Sequence, residues 1–495
     1  MTVTNPYLRS LAIARLFVLL AFLAGCNAAP DVGRAIAERH CGSCHAFPEP
    51  ELLPKVVWEQ SVLPAMGAFA DIYKDRSGEY KMLPAHLSHL RDTIIAPLRT
   101  SISLADWKAI EAFYLRHSPD RLAIPDQPAA TPAKAFSSVL PAKRAPSFTA
   151  CVYFDEKERL LFQSDVHSRL LRVFGPGLQQ TDTLKDCTVV DVAPFGEGRF
   201  LLTNIGTINP GGRIRNGSVE SILVKGGRIV ERKLLQDGLY RPVQALQVPE
   251  GLVVCEFGFM EGALSLFTPH GKTTLAAMPG AIRVYPEPPG KDSATSLLAM
   301  FAQGRETIVR FTGDGKGHFR QEAVLGFPPA YGSSYFQPAD MDGDGKTDIV
   351  YTCGDNADQS PVFKPYHGVY IFRNTGSGYE QVYFQHLDGC YKAVPADLNG
   401  DGRKDLAVIS FFADFEKRPA QAFVYLLQQN KWQFHMETDP AAPLGRWVCM
   451  DVKDVNADGR PDVIAGNMAA KPGNNTELMR RWLQGPEFIV RENHY

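Results

Sequence analysis

The sequence predicts two unlike folds in one chain, a small all-α domain near the N-terminus followed by an all-β propeller of about seven blades. Three observations carry this reading. A C-x-x-C-H motif, Cys41 to His45, lies between two short helical patterns. Beyond residue 147 the pattern changes to short apolar runs split by Gly, Asp and Asn turns, with no long amphipathic helix between them. One acidic loop then recurs three times at equal spacing. At 495 residues the chain is too long for one ordinary domain. Its formal net charge of -2 provides no basic field for a polyanion, so nucleic acid is excluded as a partner.

The first 26 residues read as a targeting segment. Arg9 and Arg15 precede a short apolar run, Leu16 to Ala24, too short to span a bilayer and shaped like a signal h-region. It ends Leu23, Ala24, Gly25, Cys26, which resembles the lipobox of bacterial lipoproteins. The resemblance implies cleavage before Cys26, lipidation of that thiol and a membrane anchor. Asn27 in place of an Asp points to the outer membrane, facing the periplasm or the cell surface.

Residues 27–120 form the expected haem domain. The stretch Asp31 to His40 predicts a helix that runs into Cys41, and Ser103 caps a second one through Leu115. Two thiols at the C-x-x-C spacing can each add to a haem vinyl group, while His45 reaches the iron from the same loop. A redox C-x-x-C wants a βαβ setting and a zinc site wants a second ligand pair; the sequence has neither. Gly33 on the first helix and Phe113 or Tyr114 on the last resemble the crossing pair of class I cytochromes c. The sixth iron ligand lies between His45 and Ser103, with Met66, Met82, His86 and His89 as candidates. The run Cys41 to Pro48, then Leu52, Leu53, Pro54, Trp58 and Val62 to Gly67, resembles the haem part of bacterial proteins that join a cytochrome to FG-GAP repeats. That resemblance implies Met66 as the axial ligand.

Residues 121–146, rich in Pro and Ala, suit an extended linker. From residue 147 to the C-terminus about seven units follow, each expected to supply a four-stranded blade. Apolar runs such as Leu160 to Gln163, Phe200 to Thr203 and Leu406 to Ser410 are the clearest strands. This half resembles FG-GAP or VCBS repeat propellers.

The acidic loops begin at Asp340, Asp397 and Asp454, so successive starts lie 57 residues apart. Side chains at positions 1, 3, 5 and 9, with a backbone carbonyl at 7 and Gly at 6, can wrap oxygen ligands around Ca²⁺. In the first loop these are Asp340, Asp342, Asp344, Asp348 and the carbonyl of Lys346. The second offers Asp397, Asn399, Asp401, Asp405 and Arg403, and the third Asp454, Asn456, Asp458, Asp462 and Arg460. Up to three structural Ca²⁺ ions are expected. Asp at position 9, without flanking helices, separates these loops from EF-hands.

Together the parts predict an exported electron-transfer lipoprotein with one covalent haem c, whose calcium-stiffened propeller docks a redox partner protein. No catalytic residues are assigned. A second reading makes the propeller a quinoprotein-like dehydrogenase feeding its own haem, but no adjacent Cys pair supports it. A third makes it an adhesion or polysaccharide-binding module with the haem as a sensor or vestige; Phe411, Phe412 and Trp432 are the aromatics open to such a site, with core or blade packing as their default reading. Nine cysteines leave six beyond Cys26, Cys41 and Cys44, enough for three disulfides of unassigned pairing or for buried thiols.

Overall fold

The computed structural model describes residues 31–495 except 44, 71, 73–101, 127–129, 143–146, 209–213, 260, 289–294, 358–359 and 471–475, together with the side chains of 68 and 69. Cys26, Cys44, Met82, His86 and His89 lie outside the described residues.

Seven antiparallel sheets form the blades of a propeller, at 149–185, 189–239, 242–276, 281–326, 333–386, 390–438 and 447–493. Their first strands contact one another in a closed ring, from blade one through blade seven and back to blade one. Each blade is flanked by two others, so its second strand is covered on both faces. Leu160–Asp165, Asp348–Cys353, Asp405–Ser410 and Asp462–Asn467 are buried at every position. That burial is why these strands read as unbroken apolar runs rather than alternating ones. The outer strands, such as Arg228–Leu239, are mostly exposed and charged, which discourages edge pairing. Polar side chains bridge first strands of different blades: Arg283 Nη1 of blade four is 2.7 Å from Asp191 Oδ1 of blade two, and the hydroxyls of Tyr285 and Tyr335, from neighbouring blades four and five, are 2.6 Å apart.

The stretch read as a linker is partly strand. Phe136–Val139 is the outer strand of blade seven, pairing with Phe488–Asn493, and Thr131–Pro132 lies parallel to Gln433–Thr438 of blade six. The ring is therefore closed by chain from both ends. Phe136 stacks on Tyr425 with centroids 4.1 Å apart. The Arg491 guanidinium, 3% exposed, joins the seam by an ion pair to Asp439 at 2.8 Å and a bond to the Phe136 carbonyl at 2.9 Å.

Upstream of the propeller are short helices. Val32–Cys41 (α1) is capped by Asp31, whose carboxylate accepts from the amides of Gly33 and Arg34. A helical run follows in three segments, Lys55–Val57, the π-helical Trp58–Val62, and Leu63–Phe69 (α2). Leu104–His117 (α3) starts at Ser103, whose Oγ accepts from Asp106 N. These helices pack on the end of the propeller that carries the loops between second and third strands. Ala330, Val362 and Tyr366 of the propeller join their apolar cluster, and the Tyr366 hydroxyl donates to the Leu52 carbonyl at 2.9 Å. A cleft of about 460 Å³ opens beside the contact, lined among others by Pro54, Val57, Arg121, Asn356 and Phe363. Among the described residues, no helix is long and apolar enough to cross a membrane.

Glu306, 2% exposed in a loop at this end, accepts from Ser333 N at 2.8 Å, and burial pushes its carboxyl up to about 7. The folded chain then holds this proton more tightly than the unfolded chain, so stability falls as pH rises from about 4.5 to about 7. Glu306→Gln is expected to flatten that slope, worth at most about 1.4 kcal/mol per pH unit, in melting temperatures recorded across the window.

Candidate functional site

The C-x-x-C-H motif begins at the C-terminus of α1, and the chain just beyond it, from Phe47 to Pro50, is pinned by aromatic side chains. The Tyr114 hydroxyl donates to the Pro48 carbonyl and Trp58 Nε1 to the Pro50 carbonyl, both at 2.8 Å. Trp58 and Tyr114 pack with centroids 4.3 Å apart, and Phe47 lies against Phe113 and Tyr114. Arg34 reaches from α1 to both carboxylate oxygens of Glu49, at 3.0 and 2.8 Å, tying the helix to the chain beyond the loop.

Helices α1 and α3 cross at Gly33. A Cβ there would stand 2.9 Å from Phe113 Cβ and 3.0 Å from the Ala109 carbonyl, closer than real Cβ atoms settle. Only glycine permits this approach. Gly33→Val should force the helices apart at a cost of about 1–3 kcal/mol, seen as an earlier melting step of the helical part while the propeller transition stays in place.

Cys41 is half-buried at the end of α1, and Met66 is half-buried in α2; both pack on the cluster built from Trp58, Trp107, Ile110 and Phe113. The structure thus sets Cys41 and Met66 on one apolar cluster, with Met66 on a short helix. His45 is half-exposed, and its Nδ1 lies 2.9 Å from the Ala46 carbonyl. A carbonyl only accepts, so Nδ1 is the donor in this contact, and Nε2 is the ring nitrogen outside it.

The three acidic loops each join the first and second strands of blades five, six and seven, at the propeller end opposite the helices. Their internal bonding is nearly the same. The carboxylate at position 1 accepts from the amide at position 6: Gly345 to Asp340, Gly402 to Asp397 and Gly459 to Asp454, all at 2.9 Å. Position 5 accepts from position 7, as in Lys346 to Asp344 and Arg403 to Asp401. Position 9 is fully buried in each, at Asp348, Asp405 and Asp462. Each of these accepts from the amide at position 2 and from the third strand of its own blade, at Asn374, Gln428 and Asn493. Burial pushes all three carboxyls up, Asp405 to about 6.

Carboxylate oxygens of Asp340, Asp342 and Asp348 all lie within 4.8 Å of one another. Asp342 has its own cations, Arg373 Nε and Lys431 Nζ, each 2.9 Å from Oδ2. Lys431 comes from the next blade, a contact that local spacing gave no way to foresee. The carbonyl at position 2 of each loop also accepts from the following blade: Met341 from Gln428, Leu398 from Asn493, and Val455 from Arg159 of blade one. Of the aromatics considered for carbohydrate, Phe411 and Phe412 flank the Arg446 guanidinium, 3.7 and 5.4 Å from its Cζ, and Trp432 packs in the core between blades.

An FG-GAP-like repeat model matches residues 297–351, which run from blade four through the first acidic loop into blade five. No curated protein sequence matches the chain. Among solved structures, the N-terminal domain of Nup159 matches with a TM-score of 0.41 and 10% identity, over 75% of this chain and 99% of that one. Virginiamycin B lyase from Staphylococcus aureus gives 0.44 and 12%, over 72% and 98%. The periplasmic gluconolactonase of Pseudomonas aeruginosa gives 0.41 and 13%, over 58% and 83%. The chain is a seven-bladed β-propeller that carries an FG-GAP-like repeat, preceded by short helices.

Proposed function

We propose that this protein is an exported, lipid-anchored electron carrier, with a covalent haem on its helical part and a propeller that recognises a redox partner. The observation that carries the reading is the C-x-x-C-H loop, with His45 Nδ1 committed to the Ala46 carbonyl and the adjoining helices crossing at Gly33. A haem held there supplies one-electron redox chemistry. Cys41 and Cys44 would hold it by thioether bonds, His45 Nε2 and Met66 would ligate its iron, and the Trp58, Phe113 and Tyr114 cluster would keep water from one side. Cys26 would carry the lipid.

The acidic loops support up to three Ca²⁺ ions in a structural role. Carboxylates at positions 1, 5 and 9 of each loop, and at position 3 of the first, are gathered at a cost in repulsion and desolvation that a divalent cation offsets. An anaerobic reductive titration of the full exported chain tests the carrier reading. It should take up one electron per chain reversibly; a chain that takes up none rules the reading out.

A further inference from the structure

The turn Gln303, Gly304, Arg305, Glu306 joins the second and third strands of blade four, Ser296–Phe301 and Thr307–Gly313. It meets the helical part at the residue on which the haem reading turns: the position a Cβ would take at Gly304 is 3.9 Å from His45 Cδ2. The backbone there is unusual. Gln303, Gly304 and Glu306 have φ of 58°, 95° and 33°, a region that side chains other than glycine rarely adopt. Such conformations persist only where the surroundings impose them.

Glu306 supplies the constraint. Its buried carboxyl accepts from Ser333 N at 2.8 Å and from Gly304 N at 3.4 Å, while its own carbonyl accepts from Phe327 N at 2.8 Å.

Resting on the haem reading, we propose that the propeller supplies the wall of the haem site on the His45 side. Gly304 lies against the imidazole, and Glu306 is the positioning residue that holds Gly304 there. The propeller is then part of the redox centre's surroundings rather than a separate module. Orientation and solvation of an axial imidazole set a haem's potential, so this loop tunes it.

The test uses the full chain. Covalent haem is first counted by absorbance, and midpoint potentials are then measured for wild type, Glu306→Ala, Glu306→Gln, Gly304→Ala and the outer-strand control Glu322→Gln. Gly304→Ala is strained at its φ and shifts the loop even if Glu306→Ala folds poorly. Glu306→Ala and Gly304→Ala should each change the reduction equilibrium at least threefold, about 28 mV for one electron, with Glu306→Gln and the control close to wild type. Wild-type potentials in haem-loaded Glu306→Ala and Gly304→Ala overturn the loop's role and leave the haem reading intact. A wild-type chain without haem overturns both.

Discussion

Met66→Ala is expected to abolish the weak sulfur-to-iron charge-transfer band, lower the reduction potential and open the iron to CO, while Met82→Ala leaves all three unchanged. The thioether favours ferrous iron, so its loss shifts the equilibrium towards the oxidised form and the potential falls. Met66 lies on the helical run from Lys55 and packs on the same cluster as Cys41. Its neighbours Leu63 and Ala65 are buried, so α2 cannot rotate without exposing them. CO difference spectra and redox titration of the two variants check it; the reverse pattern moves the ligand to Met82.

The second large effect is on stability. Asp405→Ala should lower the melting temperature by roughly 3–7 °C, because two buried amides, Leu398 N at 2.9 Å and Gln428 N at 2.7 Å, lose their acceptor at a combined cost of about 2–5 kcal/mol. Asp405→Asn keeps an acceptor oxygen and should cost less. It nevertheless removes a negative charge from the loop. Chelation should lower the melting temperature of the wild-type chain, since each ion present at tenfold its Kd adds about 1.4 kcal/mol. The shift should be smaller in Asp405→Asn. The loops bond across the joints between blades five and six, six and seven, and seven and one, so the loss should appear in the main propeller transition. A chelator without effect would count against the metal assignment.

Local chemistry made much of this architecture readable. Asp31 and Ser103 marked helix starts that the structure places at Val32 and Leu104. Gly33 and Phe113 announced the helix crossing, and the runs at Leu160, Phe200 and Leu406 lie inside second strands. The three loops were legible because side chains and backbone within nine residues define them. What stayed hidden depends on distant chain. Phe136–Val139 reads FSSV in a Pro and Ala stretch, and its partner strand lies more than 350 residues away. No local pattern distinguishes it from a linker. Lys431 against Asp342 and Gly304 against His45 are likewise products of closing the ring and docking the helices on it. The segment around Met66 carried no legible secondary structure, with Pro64 and Gly67 on either side; Pro is tolerated in a first helical turn, and the buried Leu63 and Ala65 lie within α2.

The most direct measurement of the central claim is the covalent haem content of the purified, exported chain, taken as pyridine haemochrome absorbance after acid-acetone extraction. One haem per chain should remain with the wild-type protein and none with Cys41→Ser/Cys44→Ser. Haem that extracts freely from the wild type, or no haem at all in a host competent for cytochrome c maturation, would contradict the account.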